Sequence, residues 1–175
     1  MELRPIPRHS ADAAQAARLN DRAFPENERV PLEAMFASAS AEVLGVYEGS
    51  ALLGFLVMRR WGDIAYLCFF AVEEFARCRG VGTEALRLLR SHYAPCRLVV
   101  DYEAPDASAA NNAQRLRRQA FYRRCGFAPT GWYAWYSETE FEIACTADFD
   151  IAGFRAMYDA LHAAYPDFDP RVYRK

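Results

Sequence analysis

The 175-residue sequence has almost no lysine, no CxxC pair of cysteines and no long apolar run. Lysine occurs once, as Lys175, so arginine supplies nearly all of the positive charge, which we interpret as a bias of composition. The net charge of -2 argues against a strongly basic nucleic-acid-binding protein. Because no apolar run approaches the roughly 20 residues that span a bilayer, we expect a soluble protein with no membrane partner.

The five cysteines are odd in number and scattered along the chain. This pattern argues against a disulfide framework and against a structural zinc site. The three histidines also lack the spacing of metal ligands, and we expect no metal. The N-terminus has charges and prolines where a signal peptide would need an apolar core. Together these features predict a cytoplasmic protein.

One stretch, Asp63–His92, combines an apolar strand, a turn rich in arginine and glycine, and an amphipathic helix. Nearly every residue of 64–72 is apolar, as is typical of a central strand covered on both faces. In the turn, 77–83, two glycines let a ligand approach the backbone closely. The free N–H groups of the first helical turn favour an anion, and a pyrophosphate suits such a place best.

The pattern Arg77-x-x-Gly80-x-Gly82 resembles the acyl-CoA-binding motif of the GCN5-related N-acetyltransferases, the GNAT family. A second block, Ala120–Phe127, resembles a later helix of that family, which has a tyrosine four residues before a Gly-Phe step. The two blocks occur in the family's order. The resemblance covers residues 40–137 well and the first forty residues only by pattern.

The resemblance implies one α/β domain over 1–175, with a mixed, mostly antiparallel sheet of about seven strands flanked by helices. Three antiparallel strands, the third of which is the central strand, are expected to lead into the cofactor motif. Residues 97–103 are expected to form the parallel neighbour of the central strand through a right-handed crossover. In this family the sheet is splayed between strands four and five, where acetyl-CoA would lie as co-substrate. The tail, 165–175, shows no periodicity.

The resemblance assigns the binding of acetyl-CoA to the turn and to the end of the central strand. Backbone N–H groups of the turn are expected to bind the pyrophosphate, with the arginines as phosphate candidates. Backbone groups of the strand are expected to pair with the pantetheine arm, as an added strand would. The alternative for the glycines is an ordinary tight turn. The expected binding residues are Phe70, Ala71, Val72, Arg77, Arg79, Gly80, Val81, Gly82 and Thr83.

Tyr122 corresponds to the family's tyrosine, which is thought to protonate the departing thiolate. A phenol with a pKa near 10 is neutral at pH 7 and can donate that proton. The alternative is a tyrosine that only packs in the core, because the chain contains ten tyrosines.

The general base is where the sequence departs from the family pattern. Many relatives have a glutamate in the central strand, where this chain has Cys68, either a core thiol or a base. Glu73 and Glu74, at the exit of that strand, are expected to be exposed. Asp101 and Glu103 share one face of the next strand, and we expect Glu103 to be the base or the amine-binding group and Asp101 to contact substrate. Exposure of Glu103 at the strand end and deprotonation through water are the alternatives.

A loop bounded by prolines, 24–31, is expected to form one wall of the acceptor site, as the corresponding region does in the family. Glu26, Glu28 and Arg29 are candidates for substrate contact, and a solvated charged loop is the alternative. The arginines of 115–124 form either a solvated helix face or a site for the 3′-phosphate of CoA or for an acidic substrate.

We therefore expect an enzyme, an N-acetyltransferase that moves the acetyl group of acetyl-CoA to a small-molecule primary amine by direct attack in a ternary complex. Two alternatives stay open, a non-catalytic acyl-CoA-binding sensor and a protein or peptide N-acetyltransferase. The aromatic run 132–136 could cover a core or a dimer interface, so a homodimer also stays open.

Overall fold

The computed structural model describes residues 1–26 and 29–175. The chain divides into two compact units. The first unit comprises Met1–Arg60 and Leu67–Ala94, and the second comprises Trp61–Tyr66 and Pro95–Lys175. The expectation of a single domain over the whole chain stays a prediction.

Strands and helices are interspersed along the chain, as in a mixed α/β fold. The strands are β1 (Glu2–Pro5), β2 (Ala41–Glu48), β3 (Ala51–Trp61), β4 (Ile64–Val72), β5 (Arg97–Glu103), β6 (Ala128–Tyr136), β7 (Thr139–Cys145) and β8 (Arg171–Arg174). The α-helices are α1 (Ala11–Ala23), α2 (Leu32–Ala37), α3 (Val81–His92), α4 (Asn112–Arg124) and α5 (Ile151–Ala164), and a short 3₁₀ helix lies at Glu74–Ala76.

Among the described residues, eight strands are hydrogen-bonded in the order β1-β2-β3-β4-β5-β7-β6-β8. The sheet is mostly antiparallel, with a parallel pair at β4 and β5, so the expected fold class is confirmed. There is one strand more than expected, because Arg171–Arg174 in the tail pairs with β6. The splay between the fourth and fifth strands stays a prediction.

In the first unit, the N-terminus of α1 is capped by a side chain. The Ser10 hydroxyl accepts a hydrogen bond from the backbone N–H of Ala13 at 3.0 Å. The inner side of the helix is apolar, and its buried residues Ala16 and Leu19 belong to the same core as Phe55 of β3. This packing fixes α1 beside the strands that lead to the turn.

The end of β4 is held close to β3 by a glycine. A Cβ atom added at Gly54 would lie 2.4 Å from the carbonyl oxygen of Ala71, so only glycine fits without a shift of the backbone. Along β4 the first residues, 64–67, are buried, whereas 68–70 are half-buried. The expectation that both faces are covered is therefore confirmed for the first half of the strand only.

In the second unit, neighbouring residues of β5 contact different helices. Tyr102 of β5 stacks on Tyr122 of α4, with ring centroids 5.3 Å apart, while the neighbouring Asp101 accepts a hydrogen bond from Tyr158 of α5. Successive residues of a strand point to opposite faces, which explains why adjacent residues contact different helices.

Three sequence-level expectations about cysteines, metals and membranes can be compared with the described residues. The five cysteines are all described, and none of them forms a disulfide. In residues 1–26 and 29–175, no group of three or more His, Cys, Asp or Glu side chains is arranged to bind a metal ion. None of the helices in this described part has the length and apolar character needed to cross a bilayer.

Candidate functional site

The turn before α3 is built around Gly80, which has a φ of +78° and is the N-cap residue of the helix. This left-handed conformation strains residues that have a Cβ atom, which explains the glycine. Gly82 instead lies inside α3, and Cys78, with a φ of 59°, is the other left-handed residue of the turn. The interpretation of two turn glycines therefore fits the backbone only at Gly80.

The N-terminus of α3 is open. Within the described chain no side chain caps it, and a Cβ atom at Gly80 would meet nothing within 4 Å. The N–H groups of the first turn have no partner inside a helix, and they add to the positive end of the helix dipole. Thr83, at the third helical position, is exposed. This arrangement can bind an anion.

The arginines of the turn occupy different surroundings. Arg77 Nε donates a hydrogen bond to the carbonyl oxygen of Val72 at 3.0 Å, so this side chain ties the turn to the end of β4. Arg79 is exposed. In the strand, Ala71 is buried while Phe70 and Val72 are half-buried. Contact of these residues with a co-substrate stays a prediction.

Glu73, which we expected to be exposed, is buried, with 6 % of its surface accessible. Its carboxylate accepts hydrogen bonds from Gln15 at 3.0 Å and from Arg22 at 2.9 Å, both on α1. The expectation was wrong because burial of a strand-end carboxylate depends on a partner that is distant in sequence. Gln15 and Arg22 are seven residues apart, which places them on one face of α1. This spacing was the sequence signal that α1 could supply polar partners to a buried carboxylate.

The acceptor loop is only partly described. Glu26 is exposed, and Glu28 lies outside the described residues. Arg29 is half-buried and donates a hydrogen bond to the carbonyl oxygen of Asp21 at 3.0 Å, with the Asp21 carboxylate 3.5 Å away. Contact of Glu26 or Arg29 with substrate stays a prediction.

Tyr122 is the buried residue of α4, all of whose residues are described, with 7 % of its surface accessible. Its ring lies parallel to that of Tyr102 and meets the edge of Phe127 at 5.5 Å between centroids. Burial raises the pKa of the Tyr122 phenol, and nearby Asp101 adds to the effect while Arg118 opposes it. The phenol is therefore neutral at physiological pH and can act as a proton donor.

Glu103 is buried and paired. Its carboxylate accepts hydrogen bonds from Arg118 at 2.6 Å and from Asn111 at 2.9 Å, and Arg115 lies 3.0 Å away. Burial acts to raise the pKa of this carboxyl, but Asn111 and the two arginines outweigh it and hold the pKa below its usual range. Arg115 and Arg118 are thus engaged with Glu103 rather than simply solvated.

Asp101 is half-buried and accepts hydrogen bonds from three tyrosine hydroxyls. Tyr66 lies at 2.7 Å, Tyr158 at 2.7 Å and Tyr136 at 2.8 Å from the carboxylate oxygens. Loss of hydration raises the pKa of Asp101, and the three phenol hydrogen bonds oppose that rise. Although Asp101 and Glu103 alternate on one strand, the structure gives them separate sets of partners.

The family assignment agrees with this geometry. The open turn and helix N-terminus of α3 are suited to an anion, and the buried phenol of Tyr122 is suited to donate a proton. The sequence profile of the acetyltransferase (GNAT) family matches residues 13–127. The chain belongs to this family, as the motifs indicated. No curated protein sequence matches it significantly.

Solved structures share the fold. A GNAT-family acetyltransferase from Bacteroides thetaiotaomicron, itself described as putative, has a TM-score of 0.72 at 17 % identity, covering 95 % of this chain and 99 % of that one. The ribosomal-protein-S18-alanine N-acetyltransferase of Escherichia coli has a TM-score of 0.60 at 18 % identity, over 82 % and 90 % of the two chains. An aminoglycoside 6′-N-acetyltransferase complexed with coenzyme A has a TM-score of 0.61 at 13 % identity, over 83 % and 96 %.

Proposed function

We propose that this protein is an N-acetyltransferase that moves the acetyl group of acetyl-CoA to a small primary amine by direct attack. The observation that supports it most is the open N-terminus of α3 after Gly80, in a chain of the GNAT family. Uncapped N–H groups at the start of a helix are suited to a pyrophosphate, which CoA contains. One solved structure of the same fold is a complex with coenzyme A.

The residues of the turn fit this co-substrate. The space above Gly80 is open, Arg79 is exposed and available to a phosphate, and Arg77 holds the strand end in place. The nearest acid in the first turn of α3 is Glu84, whose carboxylate is engaged by Arg87 at 2.7 Å. The local charge at the helix N-terminus therefore favours an anion.

In the proposed reaction the amine nitrogen attacks the carbonyl carbon of the thioester, so that a C–N bond forms and the C–S bond breaks. Tyr122 donates its phenolic proton to the departing sulfur, and the proton released by the amine goes to a carboxylate or to water. Backbone N–H groups stabilise the charge that develops on the carbonyl oxygen. The chain needs no covalent intermediate for this sequence of steps.

The role of Glu103 as the base stays a prediction, and its contacts favour another role. Its two oxygens are engaged by Asn111 and two arginines, which leaves a weak proton acceptor. Because Arg115 and Arg118 belong to α4, the carboxylate fixes the helix that contains Tyr122. We therefore propose that Glu103 is a positioning residue.

Glu103→Gln separates the two roles. In the positioning role, the loss of a paired buried charge lowers the free energy of unfolding by about 1–3 kcal/mol, partly screened because Arg118 is exposed, and kcat falls less than about tenfold. Thermal denaturation and steady-state kinetics measure both quantities. Arg118→Gln serves as the control, since it breaks the same pair and should give similar losses. A hundredfold fall in kcat with an unchanged melting temperature would instead establish Glu103 as the base.

Thermal denaturation with CoA, followed by thiol release across a panel of amines, polyamines, amino acids and short peptides, tests the function itself. We expect CoA to raise the melting temperature and one class of small amine to release thiol. Preference for peptides would favour a protein N-acetyltransferase. Stabilisation by CoA with no turnover for any acceptor would favour a sensor, and no stabilisation by CoA would contradict the proposal. A cytoplasmic location and a homodimer stay predictions.

A further inference from the structure

The ring of Tyr122, the proposed proton donor, lies among three aromatic neighbours in the second unit. The ring of Tyr102 on β5 is nearly parallel to it, with 7° between the two planes and 5.3 Å between the centroids. Phe127 meets it at 75° and 5.5 Å, and Phe121 meets it at 59° and 5.3 Å. Of these three neighbours, Tyr102 is the one that packs flat against a face of the Tyr122 ring.

The place of a tyrosine hydroxyl is set by the place of its ring. The oxygen lies on the axis of the Cβ–Cγ bond, so rotation about χ2 leaves it where it is, whereas rotation about χ1 displaces it sideways. A parallel ring on one face resists displacement of Tyr122 toward that side, and such offset stacking is itself favourable. Tyr102 is a firm support, because 2 % of its surface is accessible and its strand is paired with β7. The position of the Tyr122 oxygen therefore depends on the ring of Tyr102.

The hydroxyl of Tyr102 can be separated from the effect of its ring. It is buried and, in the part of the chain that the structure describes, makes no hydrogen bond. Burial raises the pKa of Tyr102, and the charge of Glu142, which is near but outside hydrogen-bonding geometry, adds to the rise. Tyr102 is therefore neutral and acts on Tyr122 through packing. Because a buried hydroxyl without a partner costs stability, a phenylalanine would fill this place equally well.

We infer that Tyr102 is a positioning residue whose ring holds the hydroxyl of Tyr122 within reach of the departing sulfur. This inference rests on the proposed function, in which the O–H bond of Tyr122 breaks and its proton goes to the thiolate sulfur. A displacement of about 1 Å in a reacting group can cost about a hundredfold in rate. A packing contact that never touches the substrate can therefore control kcat.

Tyr102→Leu and Tyr102→Phe test the inference through thiol release from acetyl-CoA. Tyr102→Leu removes the parallel ring, and we expect kcat to fall about tenfold to a hundredfold while CoA affinity stays within about twofold. Tyr102→Phe keeps the ring, so kcat should stay within about twofold and the melting temperature should be equal or higher. The control is Phe154→Leu, which removes a buried ring of the same unit that packs against Tyr66, Phe149 and Tyr158. It should lower the melting temperature and leave kcat within about threefold.

A double-mutant cycle shows whether Tyr102 acts through Tyr122. In the Tyr122→Phe background the proton is already missing, so Tyr102→Leu should change kcat by less than about twofold. Equal fold losses in the wild-type and Tyr122→Phe backgrounds would overturn the inference, because the two residues would then act independently. An unchanged kcat in Tyr102→Leu, or an equal loss in Tyr102→Phe, would also overturn it. If Tyr102→Leu does not fold, Tyr102→Met gives the same test, because methionine fills the space flexibly and has no ring.

Fluorine NMR measures the position of Tyr122 without turnover, in the full-length chain with fluorotyrosine incorporated in place of Tyr122. We expect Tyr102→Leu to shift this resonance toward that of the free amino acid, and Tyr102→Phe and Phe154→Leu to leave it unchanged. An unchanged resonance in Tyr102→Leu would overturn the inference even in an active acetyltransferase. The proposed function fails separately, through the absence of stabilisation by CoA, and the resonance would then still show whether Tyr102 fixes the Tyr122 ring.

Discussion

Tyr122→Phe is expected to lower kcat by about 100-fold to 1,000-fold while CoA affinity changes less than about twofold, the range typical of a lost general acid. The substitution removes one oxygen and keeps the ring, which stacks on Tyr102 at 5.3 Å and packs against Phe127. Packing therefore survives, and the loss falls on the proton that the departing sulfur needs. A large fall in CoA affinity or in melting temperature would indicate that the hydroxyl has a structural role instead.

The control for this experiment is Tyr173→Phe. The Tyr173 hydroxyl donates a hydrogen bond to the Glu140 carboxylate on β7, and we propose no chemical role for it. Its removal should leave kcat within about twofold. If both variants lose activity equally, the effect of Tyr122→Phe reflects general damage to the second unit and not acid catalysis.

The pH dependence provides an independent readout of Tyr122. Because burial raises its pKa above the usual value near 10, the phenol keeps its proton from about pH 6 to about pH 9. The acid form is present below the raised pKa and is lost only above it. Wild-type kcat should thus show no decline in this range from ionisation of Tyr122, and a decline that disappears in Tyr122→Phe would contradict the assignment.

The features that the sequence predicted well depend on neighbours along the chain. The strand–turn–helix around Gly80 follows from apolar periodicity on both sides of a turn that contains glycine. Both signals lie within a few residues. Tyr122 was selected in the same way, through its short spacing to a Gly-Phe step, and its catalytic role stays a prediction.

The features that the sequence did not predict depend on partners distant in sequence. Arg22 lies 51 residues from Glu73, and Tyr158 lies 57 residues from Asp101. Tertiary packing decides whether a strand-end carboxylate is exposed, pairs with arginine or accepts hydrogen bonds from phenols. The periodicity of the sequence gives no information about such packing. The sequence did not predict the strand Arg171–Arg174, because four residues are too few for an alternating pattern to be recognised. The strand is defined by its pairing with β6.

Thr83→Glu is expected to lower CoA affinity by about a hundredfold while the free energy of unfolding stays equal or rises. Thr83 is exposed in the first turn of α3, where a carboxylate stabilises the helix dipole by about 0.3–1 kcal/mol. The same carboxylate would stand where the pyrophosphate is proposed to bind. Two like charges about 4 Å apart repel by about 4 kcal/mol at an effective dielectric constant of about 20, which more than accounts for the loss.

Thr83→Glu is informative because its stability should stay equal or rise while its CoA affinity falls. A misfolded protein would instead lose both stability and CoA affinity. Thr83→Gln has the same length without the charge, and its CoA affinity should stay within about threefold of the wild type. Isothermal titration with CoA and thermal denaturation without it measure the two effects separately. Unchanged affinity in Thr83→Glu would show that the anion does not bind at this helix N-terminus, and the proposed position of acetyl-CoA would then be wrong even though the family assignment stands. The stability gain alone would confirm only the helix geometry, so affinity is the quantity that decides the site.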